Sequence, residues 1–235
     1  MTKLDSIFNR LGGRFQRRRA EAAADDDANA ALWERSRVRW RQSGPEFHLT
    51  WGREVSGDAF VLKMQQYEAF GPGKSLLEIG PGYARLLKTI KQQGVPFADY
   101  LGVDISARNV AYLNETFGDA KTSFQQGDVE QIKFSRTFDA AFSSLVFKHL
   151  FPSFAEVLKN VAGALNPGGL VFFDLMEGTA QDFEHDGVTF LRHYTRPQVL
   201  EILEHCGLSL TAWDEVCHTP EHQRLLVVAT KPGKR

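Results

Sequence analysis

The side chains best suited to chemistry in this chain are carboxylates placed around a pair of glycines. Glu78, Gly80 and Gly82 stand in Leu76-Leu77-Glu78-Ile79-Gly80-Pro81-Gly82-Tyr83-Ala84-Arg85, after a short apolar run and ahead of a helical pattern. Asp104 closes Leu101-Gly102-Val103-Asp104, and Asp128 stands in Gly127-Asp128-Val129. A glycine turn between a strand and a helix lets a ligand approach the backbone closely, and a carboxylate at the end of the next strand can accept from both ribose hydroxyls. The spacing therefore points to a nucleoside pocket. Asp104 alone does not choose the nucleoside, because NAD-binding folds place an acid at the same point. The dinucleotide fingerprint G-x-G-x-x-G, however, would need a third glycine where Arg85 stands. That bulk would obstruct the helix–strand contact and the approach of a pyrophosphate. The Gly-Lys-Ser/Thr of a Walker loop is absent as well.

The elements that must hold these residues alternate along the chain. Apolar strands are expected at Ser75–Ile79, Tyr100–Val103, Thr122–Gln125, Phe138–Phe142 and Leu170–Asp174. Helices are expected at Ala84–Gln93, at Ala107–Phe117 with Ser106 as N-cap, and through Phe154, Val157, Leu158, Val161 and Leu165. A last helix should follow Thr195, with Pro197 in its first turn and Gly207 past its end. Leu208–Glu215 and Arg224–Thr230 have no helix between them and should form an antiparallel hairpin at one edge. The fold class that results is α/β, a Rossmann-like, mostly parallel seven-stranded sheet with helices on both faces. Gly71-Pro72-Gly73 marks a boundary between residues 1–73, an N-terminal arm with helical segments over 28–42 and 56–70, and a domain over residues 74–235.

This ordered set resembles the class I S-adenosylmethionine-dependent methyltransferases. Glu78, Gly80 and Gly82 match their acid-x-G-x-G-x-G motif, with Ala84 in place of the third glycine. Phe138-Asp139-Ala140-Ala141-Phe142-Ser143-Ser144-Leu145 resembles their fourth-strand motif, and Asn166-Pro167-Gly168-Gly169-Leu170 the turn before their fifth strand. The resemblance runs from residue 74 to about residue 175, and the layout continues to about residue 231. It implies S-adenosyl-L-methionine as cofactor. It places Glu78, Gly80, Pro81 and Gly82 at the cofactor, Asp104 and Ile105 beside the ribose, Asp128 and Val129 on either side of adenine, and Ser143 with Ser144 near the methionine portion. Asp139, at the start of its strand, reads as structural.

Methyl transfer is a displacement at a carbon activated by a sulfonium, so holding the acceptor in line is the main task. A hydroxyl acceptor also needs its proton removed, which suits a histidine. His149, in Phe147-Lys148-His149-Leu150 beyond the fourth strand, is the expected general base, while Lys148 reads as a surface residue. The polar stretch Gln181–Thr195 reads as an acceptor-binding insertion. Glu177, Arg192, His193 and Tyr194 are the expected substrate contacts; Asp174 and Glu177 lie at a strand end that faces the cleft. His48 and Trp51 could cover the cofactor. No spacing compels a metal. The acceptor class expected is a small molecule or a sugar hydroxyl, with O-methylation favoured by His149. Amine or sulfur acceptors, and a non-catalytic cofactor-binding or partner subunit of the same fold, stay open as alternatives.

Composition narrows the partners. The formal net charge is −1, which is no footprint of a nucleic-acid binder, and Ser143-Ser144-Leu145-Val146 lacks the Asn/Asp-Pro-Pro-aromatic signature of base-amine methylation. The arm carries Leu4, Ile7, Phe8, Leu11 and Phe15 at helical spacing, then Arg17-Arg18-Arg19 and Asp25-Asp26-Asp27. It reads as a loosely docked arm, a membrane-surface contact being the lesser alternative, and not as a secretory signal. Cys206 and Cys217 match no zinc or redox spacing and suit a reducing, cytoplasmic setting.

Overall fold

The computed structural model describes residues 26–46, 57–178, 182–184, 189–217 and 224–233. His48, Trp51 and the arm before residue 26 lie outside them. Helix α1 covers 26–42. Helix α2 (Asp58–Gln66) leads to β1 (Ser75–Ile79), followed by α3 (Arg85–Gln92), β2 (Asp99–Asp104), α4 (Ala107–Phe117), β3 (Thr122–Gln126) and β4 (Phe138–Ser143). A 3-10 turn (Phe147–His149) and α5 (Ala155–Ala164) precede β5 (Leu165–Glu177). Then come β6 (Asp182–Glu184), β7 (Phe190–Tyr194), α6 (Arg196–His205), β8 (Ser209–Cys217) and β9 (Arg224–Thr230).

The central strands are parallel in the order β3-β2-β1-β4-β5, and antiparallel β9 and β8 complete that edge. The expected seven strands are therefore present. Two more, β6 and β7, form an antiparallel pair that joins the end of β5 through Met176↔His193 and Glu177↔Tyr194. They come from the segment read only as a polar insertion, where short strands leave no periodic trace. The turn read at Asn166–Gly169 is a bulge inside β5: its pairing on β4 jumps from Phe138↔Leu165 to Ala140↔Leu170.

Strands buried on both faces explain the apolar runs. Successive side chains point to opposite faces. Leu76 and Phe172 enter one core with Phe60, Val61, Met64, Leu86, Leu87 and Leu113 from α2, α3 and α4. Leu77 and Phe173 enter the other with Val157, Leu158, Val161, Val199 and Leu203 from α5 and α6. Helix α2, placed before the Gly71-Pro72-Gly73 boundary, thus shares the core of the sheet. Local signals set the helix ends. Ser106 accepts from the Asn109 N–H as N-cap of α4, and Thr195 with Gln198 forms a capping box on α6. Cys206 is half-buried against the second core.

The chain winds outward through β1, β2 and β3, then returns to place β4 on the other side of β1. Ligands bind such sheets in the crevice at the carboxyl ends of the strands where the order reverses. That switch point lies between Ile79 and Ser143.

Candidate active site

A cavity of about 200 Å³ opens at this switch point. Its wall contains Glu78, Gly80, Pro81, Gly82, Asp104, Ile105, Asp128, Val129 and His149, so nine residues expected at the site from sequence surround one space. Gly80 and Gly82 have φ of +68° and +58°, in the left-handed region where a side chain is strained. A Cβ on Gly80 would also lie 2.5 Å from Val146 Cγ2, so the turn is closed to anything larger. Ala84 is left-handed too, at φ 63°, which explains why glycine is the usual occupant of its motif position.

The acids are held by local bonds. Asp104 accepts from the Gly82 N–H at 3.1 Å and from the Ser106 N–H at 2.9 Å, which ties the glycine turn to the end of β2. Glu78 is buried and accepts from the Tyr100 hydroxyl. Burial raises its pKa to about 7, against the lowering influence of that bond and of Arg85. Between its ordinary value near 4.3 and about 7, the folded protein therefore holds a proton that the unfolded chain has lost. Stability should fall by roughly 3 kcal/mol as pH rises through that window and level off above it. Urea titrations at intervals from pH 4.5 to 8 check this, and Glu78→Gln should flatten the slope. A slope unchanged in the variant assigns the effect elsewhere.

The cavity has a roof that the sequence did not assign. Trp33, Arg37 and Trp40 of α1 line the same cavity. Arg37 pairs with Asp128, lies 3.6 Å from Glu130, and sits 4.8 Å over the Trp33 ring. Ser36 accepts from the Phe190 N–H at 2.7 Å, which pins α1 to β7 as well. The signal was present in the sequence: Trp33, Arg37 and Trp40 recur at i, i+4 and i+7, one face of a helix.

His149 is almost buried beneath this roof, with its ring centroid 5.5 Å from that of Trp40. Its Nδ1 lies 2.7 Å from the Phe190 carbonyl oxygen. A carbonyl only accepts, so Nδ1 carries the proton, and in the neutral ring Nε2 holds the basic lone pair.

A polar chain runs from the cavity wall, at Arg85 and Ser144, into the interior. Arg85 donates to Ser144 Oγ at 2.6 Å, and Ser144 donates to Asp174 at 2.6 Å. Asp174 also accepts from the Leu145 N–H at 2.7 Å and from Arg224 at 2.5 Å. Removing one partner of a buried ion pair leaves the other charge uncompensated. Arg224→Met is expected to cost only about 1–3 kcal/mol in chemical denaturation, because Ser144, the Leu145 N–H and the facing cations Lys148 and Arg85 still compensate Asp174; no measurable loss would show that the pair adds nothing to stability.

Several expectations meet a different arrangement. Ser143 does not line the cavity, because its hydroxyl is committed to the Ile79 carbonyl at 2.9 Å; Ser144 lines it instead. Glu177 is exposed and paired with Arg196 at 2.7 Å. Arg192 stacks over Tyr194 at 5.2 Å, and Tyr194 packs into the core 4.9 Å from Phe154. Both border a separate shallow groove with Gln198 and His205. His193 packs against Gly178 and beside Lys148, which together with burial lowers its pKa. None of Glu177, Arg192, His193 and Tyr194 is in the wall of the cavity. The reason is the β6–β7 pair, which carries this stretch to the sheet edge. Lys148, read as a surface residue, is buried in the wall, and burial lowers its pKa to about 8. Asp139 is structural as read: it accepts from the Ser75 N–H and from the Asn166 side chain, both at 2.9 Å.

A doubly wound sheet with its cavity at the reversal point and acids on three successive strand ends defines a nucleoside-binding protein of the Rossmann type. Comparison with known proteins specifies which. Residues 77–173 match the family described as "Methyltransferase domain". The fatty-acid O-methyltransferase of Mycolicibacterium smegmatis is 30% identical over 102 residues, 43% of this chain and 36% of that protein. The arsenite methyltransferase of Aquipseudomonas alcaligenes is 30% identical over 111 residues, 43% of this chain and 32% of that protein. The chain thus spans about a third of the length of these curated relatives. Among solved structures, the 1,6-didemethyltoxoflavin-N1-methyltransferase of Burkholderia thailandensis superposes with a TM-score of 0.67 at 18% identity, covering 88% of this chain and 90% of its own. Over residues 77–173 the chain is thus similar to the methyltransferase domain, and its fold is that of S-adenosylmethionine-dependent methyltransferases of known structure.

Proposed function

We propose that this protein transfers the methyl group of S-adenosylmethionine to a small-molecule acceptor, with a hydroxyl as the accepting group. One observation carries the reading: the glycine turn, the strand-end acids Glu78, Asp104 and Asp128, and His149 all face a single cavity. The turn, left-handed at Gly80 and Gly82 and packed on Val146, presents backbone to a nucleoside. In this reading Asp104 and Ile105 hold the ribose, and Asp128 and Val129 hold adenine. Glu78, with the turn from Gly80 to Gly82, faces the amino-acid end. The bound cofactor supplies an electrophilic methyl group on a sulfonium. Residues 26–46 serve as a lid on the adenine end, with Arg37 exchanging its contact to Asp128 as the nucleoside enters.

The acceptor hydroxyl lies against His149, whose Nε2 takes its proton as the oxygen attacks. The bond from Nδ1 to the Phe190 carbonyl holds the ring in the tautomer this requires. Trp33, Trp40 and Leu150 exclude water from that end. A small-molecule acceptor is favoured because the matched relatives are named for small acceptors and the net charge is −1. The test is a radiolabelled methyl-transfer assay over a panel of phenols, aliphatic alcohols, sugars, amines and thiols. Label in an ether product supports the reading; label only in amine or thiol products overturns the hydroxyl assignment.

A further inference from the structure

We propose that Lys148 receives an oxyanion of the methyl acceptor, a carboxylate above all, so that the acceptor is an amphipathic acid. This rests on the reading of the cavity as a methyl-transfer site. Lys148 is 8% exposed and lies in the cavity wall, next in sequence to His149. Among the described residues it makes no hydrogen bond and no ion pair. The acid that faces it, Asp174, is already engaged: its two oxygens accept from Arg224, Ser144 and the Leu145 N–H. Arg224 and Arg85 also face Lys148, and both are cations. Two buried cations, Lys148 and Arg224, and the half-buried Arg85 thus share one carboxylate. Glu78, the other buried acid nearby, is bonded to Tyr100.

A buried ammonium that shares its one facing carboxylate with two arginines is under-compensated, and an anion that enters with the ligand relieves it. The rest of that end is apolar, formed by Trp33, Trp40, Leu145, Val146 and Leu150. Two other cations line the cavity, but Arg37 is paired with Asp128 and Arg85 is bonded to Ser144, so an apolar wall with Lys148 as its uncommitted cation selects an apolar body with an acidic head. Lysine suits a carboxylate or a phosphate as a compact point charge.

The experiment is calorimetric titration of the full chain saturated with S-adenosylhomocysteine, using matched pairs: benzoate against benzyl alcohol, and hexanoate against hexanol. The carboxylates are expected to bind at least ~10-fold more tightly, Lys148→Met to remove the preference, and Lys148→Arg to keep most of it. Methionine replaces an under-compensated charge with an apolar chain of similar shape, so the variant should fold with an unchanged or higher Tm. Equal binding of acids and alcohols overturns the proposal, as does a preference that survives in Lys148→Met. If Lys148→Met weakens S-adenosylhomocysteine but not 5′-methylthioadenosine, which lacks the amino-acid end, the lysine serves the cofactor's carboxylate and the proposal is overturned. If the wild-type chain fails to bind S-adenosylhomocysteine at all, the methyl-transfer reading itself falls, and the proposal with it.

Discussion

Replacing His149 with alanine is expected to lower kcat by about 10²–10⁴-fold on the hydroxyl acceptor the wild-type protein uses. The affinity for S-adenosylhomocysteine should stay within about threefold of wild type, a difference of less than 1 kcal/mol. The split follows from position. His149 stands beyond the end of β4, against Trp40 and bonded to the Phe190 carbonyl, while the glycine turn and Asp104 are tied to each other. His149→Gln sharpens the test, because its side-chain amide can still donate to the Phe190 carbonyl but cannot take a proton. If glutamine restores turnover, the histidine only holds the 3-10 turn against β7. If alanine leaves turnover within a few-fold, proton removal is not its task. The pH profile gives a second readout: the wild-type limb set by the histidine should vanish in both variants.

Asp104→Ala is expected to raise the dissociation constant of S-adenosylhomocysteine by roughly 30–100-fold, about 2–3 kcal/mol. Hydrogen bonds to a charged group contribute about 1.5–3 kcal/mol each. Part of the loss reaches the ligand through the backbone, because Asp104 accepts from the Gly82 N–H at 3.1 Å and the Ser106 N–H at 2.9 Å. Asp104→Asn keeps an acceptor for one of these bonds and should lose less. The domain should remain folded, since the cores on the two faces of the sheet do not involve this side chain. Unchanged affinity in a folded variant would remove Asp104 from the ribose position.

The comparison of sequence with structure separates two kinds of information. Strand-end acids were legible because a parallel sheet fixes where each strand stops: Glu78 and Asp104 lie at the ends of apolar runs, and Asp128 follows β3 through Gly127. The glycine turn was legible because φ near +60° admits few residues without strain. Ser143 and Ser144 illustrate the limit. Adjacent residues on a strand point to opposite sides, and the sequence does not say which hydroxyl the Ile79 carbonyl will take. Lys148 was misread for a related reason. A lysine is almost never fully buried without a partner, and only the tertiary arrangement of Asp174, Arg85 and Arg224 shows that this one lies inside. The segment from Glu177 to Tyr194 went furthest astray. Its strands are short and pair only with each other and with the last two residues of β5, so neither periodicity nor length announced them. Arg37 was on a recognisable helix face, but its partner Asp128 is distant in sequence.

One cavity, lined by Gly80, Gly82 and the carboxylates of Glu78, Asp104 and Asp128 among others, is proposed to take a nucleoside that bears a charged sulfur. Isothermal titration of the purified chain with S-adenosylhomocysteine, with NADH as the control ligand, tests that directly. Saturable one-to-one binding of S-adenosylhomocysteine, weakened in Asp104→Ala, with no heat from NADH, is the result expected. Binding of NADH in its place, or of neither by a folded chain, would contradict it.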